Sequence, residues 1–243
     1  MNPVLMLTHN CLEMTKRCVE SVMNQNIPSD LTIIDNGSFD GIREWLNSDA
    51  FTGCSLSLPH NVGVSYGWNV GLEGILRRDE HCLVVNNDVI LPPWFYRELL
   101  SYDVPFVTGV SVDNMDAIKE VPMRVPLVGH PDFSAFLIRR DAWNKIGPFD
   151  VGMKFYAQDC DYHVRACQAG ITLKAASLPF YHERSSTLNL ASSEEREEIQ
   201  LQANRDREYF LRKYGFSVGS EEYQRATGAQ VGTKVPFPGE FIG

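Results

Sequence analysis

The 243-residue chain predicts an α/β fold, a mostly parallel sheet flanked by helices and followed by a C-terminal helix and tail. Two observations predict it. Short runs rich in Val, Ile and Leu alternate with stretches of 3.6-residue apolar periodicity, the pattern of successive βαβ units. Three of those runs break off into Asn, Asp and Thr, as strands do where they leave a buried sheet at a ligand-binding edge. Composition agrees, since 44% hydrophobic and 22% charged residues describe a globular chain and exclude disorder.

Val4 to Leu7 read as the first strand. "CLEMTKRCVESVMNQ" follows as a helix with Leu12, Thr15, Val19, Val22 and Met23 on one stripe. "LTIID" (31–35) is the second strand, and "DGIREWLNS" a short helix for which Asp40 is the expected N-cap. "CSLSL" (54–58) is the third strand. "VSYGWNVGLEGILRRD" is helical, with Gly63, Gly67 and Gly71 at every fourth position along one side. Asn69 and Glu73 lie among them, so close approach of helix to sheet or nucleotide, not a membrane contact, is the expected reason. "HCLVVNN" is the fourth strand, and "PPWFYRELLSY" opens a helix with proline where a missing N–H costs least. "PFVTGVSV" is the next strand. Residues 113–131, with three prolines, lapse into a variable loop. The pattern resumes with strand "FSAFLIRR" (133–140), helices "DAWNKIG" and "DCDYHVRACQAG", and strand "ITLKAASL". A last helix, 193–213, opens with the capping-box spacing Ser192-x-x-Glu195, and "GTKVPFPGEFIG" reads as a loosely held tail.

Net charge is −9, from 31 acidic against 22 basic residues, which argues against a general nucleic-acid surface. No apolar run approaches the roughly 18 residues of a transmembrane helix. The opening residues read as a strand and not as a leader. The six cysteines show no CxxC pair, which argues against a cysteine zinc site, and a cytoplasmic location with free thiols is expected. The terminal "DREYFLRKYGF" mixes aromatics with Arg207, Arg212 and Lys213, and packs on its own domain or touches a membrane periphery or an acceptor.

Strand one ends in Thr8-His9-Asn10, strand two in Asp35-Asn36-Gly37-Ser38, and strand four in Asn86-Asn87-Asp88. Asn-Gly alone is an ordinary turn dipeptide, but three polar ends on one sheet edge make a crevice. The fingerprints of dinucleotide-binding, P-loop and GxSxG hydrolase sites are absent. The remaining carboxylate and amide oxygens suit Mn2+ or Mg2+ bridging phosphates, with Asp88 the first choice. A single Asp at a strand end serves equally as a cap or turn residue.

Over roughly residues 3 to 190 the chain resembles the family 2 glycosyltransferases of GT-A fold. "VLMLTHN" looks like their opening strand, and "IIDNGSFDG" resembles the segment whose Asp contacts the nucleobase. "HNVGVSYGWNVGL" resembles the helix lining the donor pocket, and "VVNNDVILPP" falls where the family carries its D-x-D-type motif. "FSAFLIRRDAWNKIGPFD" is similar to the segment before the acceptor site, and "YAQDCDYHVRACQAG" to the motif with the catalytic base. "YHERSST" matches a late His near the metal and diphosphate.

The resemblance implies a GT-A-type, Rossmann-like domain over 1–190, with a nucleotide-sugar half of about 1–112 and an acceptor half of about 113–190. Residues 191–243 would then be a C-terminal helix and extended tail. It implies an inverting, metal-assisted transfer of a sugar from a nucleotide-diphosphate sugar to an acceptor hydroxyl on a glycan, a lipid-linked carrier, a protein or a modified nucleobase. Asp159 would be the general base. Thr8, Asn10, Asp35, Asn36, Asn61, Gly63, Asn69, Asn86 and Asn87 would face the donor. Asp88 and His182 would hold Mn2+ or Mg2+, and Ser134, Gln158, Asp161 and Arg184 would lie toward the acceptor. Asn86 replaces the first Asp of D-x-D, Gln158 replaces the usual Glu, and Arg184 stands where a small residue is more common. Asp161 and Arg165, four apart on a helix, are expected as a surface pair with a scaffold role. Trp68, Trp94 and Trp143 fit either a core or a sugar platform. Two rivals remain: a nucleotide-sugar-forming nucleotidyltransferase, which normally carries a Gly- and Arg-rich loop after strand one, and an inactive GT-A-like nucleotide-binding module.

Overall fold

A computed structural model describes residues 2–119, 127–128, 131–183 and 193–228. Strands β1 (Asn2–Thr8), β2 (Ser29–Asp35), β3 (Cys54–Ser57) and β4 (His81–Asn86) alternate with helices α1 (Leu12–Met23), α2 (Ile42–Leu46) and α3 (Val64–Leu76). Then come β5 (Val89–Ile90), α4 (Phe95–Leu100), β6 (Phe106–Val112), a 3-10 turn (Met115–Ile118) and β7 (Leu127–Val128). The rest is β8 (Ala135–Arg139), α5 (Arg140–Ile146), α6 (Gln158–Gln168), β9 (Lys174–His182), α7 (Ser193–Tyr214) and α8 (Glu221–Thr227). Among the described residues the strands form one sheet in the order β3-β2-β1-β4-β8-β6-β9-β5, with β7 on β9.

The parallel expectation holds for β3-β2-β1-β4. Beyond β4 the sheet is mixed: β8 runs antiparallel to both β4 and β6, and β6 is parallel to β9. The inner strands are apolar on both faces because helices cover both, the usual consequence of βαβ crossovers. Alternation along β1 sends Val4 and Met6 into the layer under α1 and α4. Leu5 and Leu7 enter the layer under α3, α5 and α6, which is dominated by Trp68, Phe136, Phe149 and Tyr162. A Cβ on Gly67 would run into Leu7 and one on Gly71 into Leu5, so these glycines let α3 lie close on the sheet. Trp68, Trp94 and Trp143 are all core.

Three local expectations are corrected. Asp40 does not cap α2, whose N-cap is Gly41 with no side-chain bond; its Oδ2 accepts the Leu12 N–H at 2.8 Å, at the start of α1. Met23 is exposed, and Cys18 and Ser21 complete the buried stripe of α1 instead. The last strand is β9, running to His182, because antiparallel pairing with β5 extends it past the apolar run. The terminal aromatics pack on their own domain: Phe210 and Tyr223 join Met153, Cys160 and Val164 in a third cluster. All six cysteines are free. Ser192, residues 120–126 and 129–130 of the 113–131 loop, and the "GTKVPFPGEFIG" tail lie outside the described residues.

Candidate active site

β1 pairs in parallel with both β2 and β4, setting Thr8 beside Asp35 and Leu7 beside Asn86. The three polar ends therefore open on one edge. Most of their hydrogen-bonding capacity is used on one another. Asn87 Nδ2 donates to Thr8 Oγ1 and Thr15 Oγ1, each at 3.0 Å, and to the Asn10 carbonyl at 3.2 Å. Asn36, buried, donates to Asn61 Oδ1 at 3.0 Å and accepts the Val62 N–H at 2.9 Å. Asn61 Oδ1 also takes the Gly63 N–H at 3.0 Å. Asn69 bonds the Phe149 backbone in both directions at 2.8 Å. Asn10, left-handed at φ 57°, accepts the Phe39 N–H and gives its own N–H to Ser38 Oγ. Asn86 gives its N–H to the Ser134 carbonyl at 2.9 Å. These amides brace the crevice walls.

Asp35 is different. It is fully buried, and Oδ1 accepts the Ser38 N–H at 2.8 Å, closing a turn. Oδ2 accepts no hydrogen bond and lies 3.6 Å from Arg43 Nε. A buried carboxylate oxygen left in that state costs more than its neighbours do, so it suits a ligand N–H or O–H.

A second group forms where β5 pairs with the end of β9, setting Val89 opposite His182. His182 Nε2 lies 3.2 Å from Asp88 Oδ2, and Nδ1 lies 3.3 Å from Ser134 Oγ. Ser134 thus sits beside the predicted metal ligands, and its N–H goes to Asp132 Oδ1 at 2.9 Å. Among the described residues no third His, Cys, Asp or Glu joins Asp88 and His182. The Asp88 carboxylate suits Mn2+ or Mg2+, ions that take few protein ligands and fill the remaining positions with phosphate oxygens and water, and the His182 imidazole lies beside it. Arg184 lies outside the described residues.

The third group is Gln158 and Asp159, at the start of α6. Ala157 precedes them in the left-handed region at φ 64° and is the helix N-cap, with no side-chain bond. Asp159 is therefore not the cap; its Oδ1 accepts the adjacent Cys160 N–H at 2.8 Å. Burial pushes the Asp159 carboxyl above the usual range, the Cys160 N–H opposes that, and the charge of Asp132 adds to it. A raised pKa makes a carboxylate a better base at neutral pH. Gln158 is buried beside it with Oε1 accepting no hydrogen bond.

Asp161 and Arg165 do pair, at 2.8 Å, but not at the surface. Asp161 is fully buried and also accepts from Lys213 Nζ at 2.6 Å and Tyr214 Oη at 2.7 Å. The i,i+4 spacing showed the pair and not the helix that covers it. Sequence reading also missed Asp206, whose Oδ2 accepts the N–H groups of Phe155 at 2.8 Å and Tyr156 at 3.0 Å. Its signal was available: Ala203, Asp206 and Phe210 share one buried helical stripe. Asp132, which accepts the Ser111 and Ser134 N–H groups, carried no such pattern.

The sequence matches the model of glycosyl transferase family 2 over residues 4–159. A search of the curated proteins returned no match. Similar solved structures include a mannosyltransferase from Pyrobaculum calidifontis in complex with GDP-Man and Mn2+, at 16% identity and TM-score 0.55, covering 75% of this chain and 57% of that one. Residues 1–349 of S. aureus TarS in complex with UDP-GlcNAc match at 14% identity and TM-score 0.56, covering 93% and 78%. GalNAc-T7 with UDP, GalNAc and Mn2+ matches at 12% identity and TM-score 0.57, covering 75% and 43%. At these identities the likeness concerns the fold, which is GT-A.

Proposed function

This chain belongs to glycosyl transferase family 2, and on that premise we propose that it is an inverting transferase moving a sugar from a nucleotide-diphosphate sugar to an acceptor hydroxyl. The observation that carries the reading is a set of acidic and metal-ligating groups at the polar ends of three strands and at the start of α6. These are Asp35 Oδ2, the Asp88–His182 pair, and the half-buried Asp159, whose carboxyl desolvation pushes above its usual range. Asp35 accepts an N–H or O–H from the nucleoside. Asp88 and His182 would hold Mn2+ or Mg2+, which when bound supplies Lewis-acid stabilisation of the departing diphosphate. Asp159 takes the acceptor's proton as its oxygen attacks the anomeric carbon from the face opposite the diphosphate. The bond from that carbon to the diphosphate oxygen breaks, and the anomeric configuration inverts. Gln158 Oε1 offers an acceptor to a sugar or acceptor hydroxyl. The donor being a nucleotide sugar is supported by the GDP-Man and UDP-GlcNAc that similar folds bind. The acceptor is a glycan, lipid-linked carrier, protein or modified nucleobase. Among the described residues no helix is long and apolar enough to cross a membrane. We assign the cytoplasm as the site of action.

Incubation with UDP-, GDP- and dTDP-sugars in Mn2+ tests this, because such sites hydrolyse their donor slowly with water as acceptor. Release of free nucleoside diphosphate from one donor class is expected. Pyrophosphate release from a nucleoside triphosphate and a sugar 1-phosphate, with no donor hydrolysis, would establish the nucleotidyltransferase instead.

Asp35→Asn is expected to weaken nucleoside diphosphate binding by about 10- to 100-fold, in EDTA as well as in Mn2+, the range for losing a hydrogen bond to a charged group. The amide oxygen keeps the Ser38 bond, so folding is preserved, while its NH2 meets the ligand donor and Arg43 head-on. Calorimetry reads this directly; equal affinities would remove Asp35 from the donor site.

A further inference from the structure

The segment that leads into Asp159 is tied down residue by residue. The Met153 carbonyl accepts from Ser65 Oγ at 2.6 Å and the Lys154 carbonyl from the Val64 N–H at 2.7 Å, both from α3. The N–H groups of Phe155 and Tyr156 both go to Asp206 Oδ2 on α7. Asp206 is fully buried, and Gln202 Nε2 holds its Oδ1 at 2.7 Å. Lys213, about two turns further along, reaches Asp150 Oδ2 and Asp161 Oδ1, each at 2.6 Å. The carboxylates it joins flank Asp159 in the chain. Those two bonds hold the Lys213 ammonium above its usual pKa against the cost of burial, and Asp150 sits below its own.

We propose that α7 is a strap in which Asp206 and Lys213 are positioning residues, holding segment 150–161 so that the Asp159 carboxylate meets the acceptor hydroxyl. Packing alone does not call for this arrangement, since a buried carboxylate is costly and an apolar side chain fills space at less expense. What the segment contains does call for it. Ala157 sits in the left-handed region, a conformation costing about 1–3 kcal/mol that persists only where its surroundings over-determine it. The ties on 153–156 supply that constraint immediately before it, and the Lys213 bridge supplies it on either side. The strap lies outside residues 4–159, the span of the family match.

The inference rests on Asp159 as the base, and its test separates the two. Hydrolysis of UDP-GlcNAc and GDP-mannose in Mn2+ is compared for Asp206→Ala, Asp206→Asn and Lys213→Met in the full chain. Asp206→Ala is expected to lower kcat about 10-fold or more, the scale of a misplaced catalytic group, with KM and nucleoside diphosphate affinity within about 2-fold. Asp206→Asn, whose amide oxygen still accepts both N–H groups, recovers most of the rate. Lys213→Met lowers kcat with KM unchanged. Exchange of the Phe155 and Tyr156 amides should quicken about 10-fold or more in Asp206→Ala and not in Asp206→Asn. A folded Asp206→Ala with wild-type kcat overturns the strap. Should that variant not fold, wild-type kcat in Lys213→Met overturns it. A wild type that turns over neither sugar nucleotide counts against the transferase reading, and the amide exchange of the same variants then decides the strap by itself, unchanged protection overturning it.

Discussion

Asp159→Asn is expected to leave the protein folded and its nucleotide bound while sugar transfer falls by about 10²-fold or more, the usual share of a general base. Asparagine is isosteric, and its oxygen keeps the Cys160 N–H bond. What it cannot do is take a proton. Stability moves the other way from activity. Burial raises the Asp159 pKa, so the folded state binds that proton more tightly than the unfolded chain. Ionised Asp159 therefore costs stability, a cost that accumulates as pH climbs from the ordinary carboxylate range to the raised value and is constant above it. The asparagine variant should melt with the wild type at acid pH and above it at neutral pH. Wild-type transfer should rise with pH through the same raised pKa and then level off. Melting curves, diphosphate affinity and transfer rates on one mutant check all three; turnover within a few-fold of wild type would remove Asp159 as the base.

Asp88→Ala is expected to bring nucleoside diphosphate affinity in Mn2+ down to its value in EDTA and to cost transfer about 10²-fold or more, since metal stabilisation of a leaving phosphate is worth several kcal/mol. The fold should survive, because Asp88 is partly exposed at a strand end and its carbonyl, not its side chain, takes the Glu183 N–H at 2.9 Å. Removing the carboxylate leaves His182 with Ser134 and too few donors for a hard divalent ion. The metal-free affinity supplies the control: it should be the same in mutant and wild type. If titration calorimetry finds the Mn2+ enhancement intact in Asp88→Ala, the cation is held elsewhere.

The sequence by itself determined the βαβ series, the parallel half of the sheet and the edge on which three polar ends converge. These depend on periodicity and turn chemistry within a few residues, which a chain displays openly. It also singled out Asp35, Asp88 and Asp159. Only the tertiary structure decided which polar side chains are in use and which are open. Asn87 and Thr8 are equally polar to Asp35 on paper, but their bond spans 79 positions, and that of Asn69 to Phe149 spans 80. Asp40 reads as the cap of the helix it precedes and serves the start of α1, 28 positions back in the chain. Asp161 reads as a surface partner of Arg165 and is sealed by Lys213 and Tyr214 from α7. Asp206 reaches 51 residues back to the segment before the proposed base. Hydrogen-bond satisfaction depends on partners that only folding brings within 3 Å, and local pattern carries no information about them.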